Sequence, residues 1–145
     1  YKGTAPAITD LIGGQIDLLC DQTTNTTSQI EGKKVKAYAV TTAKRLTTPA
    51  LKDLPTLAES GLKDFNVSIW HGLYAPKGTP ADVQKKINEA LKAALKDPEF
   101  IKKQEDLGAL VVTDNRVTPE GHKAFVGDQI KRLKAVIDAA GQFAD

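Results

Sequence analysis

Methionine is missing from these 145 residues, while cysteine and tryptophan occur once each and histidine twice. With Cys20 alone, neither an intrachain disulfide nor a cysteine-built metal site can form. Aromatic residues make up only 6% of the chain and the net charge is only +2. The lysines are spread over several segments without an aromatic-basic platform beside them, so nucleic acid is not an expected partner. No apolar run approaches the roughly 20 residues that span a bilayer. The motifs GxSxG, HExxH and GxxxxGK[ST], the dinucleotide-binding glycine fingerprint and a convincing acid pair are all missing, which leaves an enzyme reading without an obvious residue to rest on.

What is present is a regular alternation. The spacing predicts helices over residues 4–13, 80–96, 98–107 and 119–140. Thr4, Thr79, Asp97 and Thr118 are candidate N-caps, and Pro80, Pro98 and Pro119 follow the last three at the first helical position. Thr56-Leu57-Ala58-Glu59 has the form of a capping box. One helical stripe is Val83, Ile87, Leu91, Ala94 and Leu95, and another is Val126, Ile130, Leu133 and Ile137. Residues 16–20, 35–41, 66–74 and 110–113 read as strands, with Tyr1-Lys2 as the end of another. Cys20 is expected to be buried and inert within Ile16–Cys20. Strands alternating with amphipathic helices indicate an α/β protein with a mainly parallel sheet. The composition shifts near residue 72, where "GLYAPKGTP" leads into a helix-dominated tail.

Chemistry concentrates at two turns. If Tyr1-Lys2 ends a strand, then Gly3-Thr4-Ala5 opens a helix at the carboxyl edge of a sheet, where ligands of open α/β folds bind. A helix N-terminus offers free N–H groups and partial positive charge, so its natural guest is an anion. Lys2 adds charge; equally, Thr4 can simply cap its own helix. Asp21, directly after "IDLLC", either faces the same crevice as a hydrogen-bond acceptor or caps the segment "QTTNTT". His71 in "SIWHGLY" projects toward a cleft or stands at a sheet edge. Trp70 reads as core or hinge packing and His122 as surface. Asn25-Thr26-Thr27 and Asn66-Val67-Ser68 match glycosylation sequons, a pattern too short to decide anything.

Four blocks in order, "YKGTAPAITDLIGGQIDLLCD", "GKKVKAYAVTTAKR", "LPTLAESGL" and "SIWHGLYAPKGTP", resemble the substrate-binding receptors of tripartite tricarboxylate transporters, the Bug or TctC family. The resemblance covers essentially the whole chain. It implies a periplasmic-binding-protein-like, Venus-flytrap architecture of two α/β lobes. This chain would correspond to the C-terminal half, with residues 1–72 the later part of the second lobe and 73–145 the segment returning to the first. It implies a periplasmic, non-enzymatic, cofactor-free receptor that captures a small carboxylate and delivers it to membrane permease subunits. Lys2, Gly3, Thr4 and Ala5 would contribute to carboxylate binding, largely through backbone N–H groups, with Asp21 and His71 facing the ligand.

The sequence departs from the family pattern after Asp21, where Gln22-Thr23-Thr24-Asn25 replaces a proline-containing turn, and at His71, where an aromatic is common. A half-length chain is further expected to expose sheet edges and either to self-associate or pair with an N-terminal half, or not to be stable on its own. Two other classes stay open on the residues alone. One is a small α/β enzyme for an anionic substrate, with Asp21 and His71 as acid and base. The other is a sensory or docking module.

Overall fold

The computed structural model describes residues 1–141. Its helices are α1 (Thr4–Ile12), α2 (Thr23–Glu31), α3 (Ala81–Ala94), α4 (Pro98–Asp106) and α5 (Pro119–Ala140), with a 3-10 turn at Asn115–Val117. The chain separates into two compact units. The first is Tyr1–His71 with Pro98–Val111, and the second is Gly72–Asp97 with the segment from Val112 onward. The expectation assigned all of 73–145 to one returning segment, whereas here Pro98–Val111 is grouped with the first unit.

In the first unit, three helices end in the same way. Gly14, Lys33 and Gly108 take positive φ angles of 70°, 53° and 77°. The residue after each donates its N–H back to a carbonyl in the last turn: Gln15 to Asp10, Lys34 to Gln29 and Ala109 to Gln104, at 2.8, 2.9 and 2.9 Å. This is the Schellman arrangement, which satisfies carbonyls that a helix end would otherwise leave unpaired. Glycine suits the left-handed position in two of the three; Lys33 occupies it against its steric preference.

The end of α4 is held more tightly still. Thr48 donates its hydroxyl to the Glu105 carbonyl at 3.0 Å, and Thr23 donates to the Gly108 carbonyl at 3.2 Å. The Thr27 hydroxyl lies 3.1 Å from the Leu107 carbonyl and 2.8 Å from that of Thr23. Thr27, Thr48 and Leu51 are buried around this junction. Gly108 has no room for a side chain: a Cβ there would come within 2.9 Å of Leu51 Cδ1 and 3.1 Å of Thr23 Cβ.

The predicted strands do not form ladders among the described residues. Their trace is one parallel bridge, Val40 with Thr56. Val40 N–H donates to Pro55 C=O and Leu57 N–H to Val40 C=O, both at 2.9 Å, and Val67 N–H donates to Thr41 C=O at 2.9 Å. Residues 35–41 and 66–74 therefore meet at one hydrogen bond, but a ladder needs a neighbour in register along its whole length. The segments 16–20 and 110–113 likewise carry no strand. Cys20 is exposed, contrary to the expected burial, because Ile16–Cys20 has no sheet to enter. Leu18, Tyr38 and Ile69 are exposed for the same reason.

In the second unit, Thr118 caps α5 as expected, accepting from the Gly121 N–H at 3.0 Å, with Pro119 at the first helical position. Thr79 does not cap α3: Pro80 takes that position, and the Thr79 hydroxyl donates to Pro76 C=O at 2.8 Å. Asn88 ties α3 to the 3-10 turn by donating to Val117 C=O at 2.8 Å. His122 is half-buried rather than a free surface residue; its Nε2 lies 3.1 Å from the Tyr74 hydroxyl and the two rings are 5.4 Å apart. Arg116 grips Asp114 at 2.7 Å and lies over the Phe125 ring. The Arg116 side chain and N–H hold the Asp114 carboxyl at about 2.

Thr27→Val preserves shape but strips the Leu107 carbonyl of a buried donor. It should lower stability by about 1–3 kcal/mol, measured by urea unfolding of the purified chain. Gly108→Ala should cost more than Gly14→Ala. Both positions share the left-handed backbone, but a Cβ at Gly14 meets nothing within 4 Å. Equal losses from the two would remove close packing from the account of Gly108.

Candidate functional site

Helix α1 begins directly after Gly3, whose φ of 109° and ψ of 176° lie in a region essentially restricted to glycine. No side chain caps this helix. Thr4, expected as a cap, is instead the first helical residue, half-buried, and its Oγ1 receives a hydrogen bond from Asn25 Nδ2 at 3.2 Å. The first-turn N–H groups of α1 thus have no side-chain oxygen assigned to them, and the partial positive charge of the helix start is not offset by an acidic residue in its first turn.

Asp21 is brought to the same place by helix α2. Its Oδ1 accepts from the Gln22 N–H at 2.7 Å and from Asn25 Nδ2 at 3.1 Å. Asn25 follows Asp21 by four residues, the spacing at which side chains meet along a helical turn. Its amide nitrogen therefore bridges Thr4 on α1 to Asp21 before α2. Partial burial pushes the Asp21 carboxyl up, but hydrogen bonds from Thr4, Asn25 and the Gln22 N–H outweigh it and hold the group below its ordinary 3.8. At neutral pH the result is a fixed, ionised acceptor beside an uncapped helix N-terminus. The two readings of Asp21 thus coexist: it organises the start of α2, and it stands next to the candidate anion position.

Of the other expected residues, Lys2 and Ala5 flank the turn and are exposed, as is Gly3. His71 is exposed at the last position of the first unit's main segment and shares no hydrogen bond with Asp21 or with residues 2–5 among the described residues. Sequence reasoning missed the role of Asn25, which it treated only as part of a sequon and of the stretch that departs from the family pattern. It also missed α2, because "TTNTTSQIE" has few apolar residues and several that prefer turns. The signal that could have found both is the Asp21–Asn25 spacing read together with the buried face of Thr23 and Thr27. Among the described residues no group of three or more His, Cys, Asp or Glu side chains could hold a metal ion.

Comparison with known proteins agrees with this architecture. The chain is similar to the solved structure of the periplasmic binding protein BugD, with a TM-score of 0.90 and 53% identity over 97% of this chain and 46% of that one. It is also similar to MatC from Rhodopseudomonas palustris with bound malate, with a TM-score of 0.86 and 37% identity over 94% of this chain and 46% of the other. A second R. palustris protein, solved with adipate, gives a TM-score of 0.87 and 32% identity over 97% and 46%. The fold is therefore that of periplasmic binding proteins of the Bug type.

The model of the tripartite tricarboxylate transporter family receptor matches residues 1–142, and the chain belongs to this family. Among curated relatives, the UPF0065 protein of the TAR-I ttuE-ttuC' intergenic region in Agrobacterium vitis is 52% identical over 98% of this chain and 40% of its own length. BugT of Bordetella pertussis is 30% identical over 97% and 42%. The chain thus spans well under two thirds of the length of these relatives. The family is one of receptors, and BugD is a periplasmic binding protein.

The Asp21 carboxyl should titrate below 3.8 in a carbon-detected NMR experiment, and Asn25→Leu should move it upward by removing one stabilising donor. A lowered folded-state value means that the ionised group contributes stability above the unfolded value, and that this contribution is lost as pH falls through the folded one. The acid limb of a stability–pH curve should therefore flatten in Asp21→Asn. An unchanged limb would remove Asp21 from the groups linked to folding.

Proposed function

We propose that this chain forms part of a periplasmic receptor that captures a small carboxylate and presents it to the permease subunits of a tripartite tricarboxylate transporter. The observation that carries the reading is the uncapped N-terminus of α1, opened by Gly3 and tied through Asn25 to the ionised Asp21. The helix start suits the carboxylate of the ligand. Asp21 repels a second anion but rewards a donor, so the preferred ligand carries a hydroxyl or ammonium group next to its carboxylate. The malate of one solved neighbour has such a hydroxyl, and the adipate of another lacks it. Lys2 and Ala5 complete the turn, and His71 contributes from the segment that leaves the first unit. Binding of this kind needs neither cofactor nor turnover.

The segments 35–41 and 66–74, which form no ladder among the described residues, also bear on the reading. The Agrobacterium vitis relative and BugT have more than twice this length, and we propose that further strands of the receptor pair with these segments and supply the remaining ligand contacts. The 145-residue chain by itself should then self-associate, read as an apparent mass that rises with concentration in light scattering. A strictly monomeric, cooperatively folding chain would contradict this.

The function is tested by a thermal-shift screen of the full receptor against malate, adipate, citrate and acidic amino acids. A ligand at about 100 times its dissociation constant should stabilise the native state by about 2.7 kcal/mol. Asp21→Ala should weaken malate about tenfold and adipate much less, whereas Gly3→Val should weaken both by misaligning the helix start. A folded receptor that no carboxylate stabilises would overturn the proposal.

A further inference from the structure

We draw no further inference here: the strongest candidate, the apolar stripe that Val83 and Ile87 leave exposed along α3, carries nothing because nothing in the structure shows what covers it.

Discussion

The first unit depends on the carbonyl-rich end of α4. A helix presents four unpaired C=O groups at its end, and burying them without donors would cost several kcal/mol. Here the backbone turns back on itself through Gly108 while Thr23, Thr27 and Thr48 supply hydroxyls from two other segments. These bonds join stretches separated by 85, 80 and 57 positions. The first unit has few buried apolar side chains, namely Ala7, Val40 and Leu51, so this polar junction carries an unusual share of its specificity. Threonine suits the task because its methyl group packs while its hydroxyl donates. The grouping of Pro98–Val111 with residues 1–71 follows from this junction, and no pattern of hydrophobic spacing would reveal it.

The helices of strong periodicity were legible. α1, α3, α4 and α5 all lie within a residue or two of where capping residues, prolines and apolar spacing put them. α2 was not, since Thr27 bonds to the Leu107 carbonyl just past the end of α4, which is a tertiary fact. The strands failed for a related reason. A β-pattern describes a segment ready to pair, and pairing requires a neighbour in register; Val40 bridges Thr56, Val67 bonds to Thr41, and neither contact extends into a ladder among the described residues.

At the candidate site, sequence reasoning named both turns but not the residue between them. Gly3 and Asp21 stood out because glycine before a helix and an acid after an apolar run have direct physical meanings. Asn25 had none until α2 placed it between Thr4 and Asp21. Its amide nitrogen donates to both sides, so one side chain sets the spacing between an anion-attracting helix start and an anion-repelling carboxylate. On the proposed reading, opposed electrostatic preferences at a fixed separation would favour a ligand with mixed functional groups over a plain anion.

The same side chain bears on covalent modification. Asn25-Thr26-Thr27 satisfies the acceptor pattern for N-linked glycans, yet in the fold the asparagine nitrogen is engaged with Thr4 and Asp21 and the Thr27 hydroxyl is sealed against the end of α4. A transferase can reach this tripeptide only while the chain is unfolded, and a sugar attached then would occupy the space through which α1 and α2 meet. Production through a eukaryotic secretory route would therefore set glycosylation against folding, and the glycosylated fraction would be the fraction that cannot close this corner of the molecule.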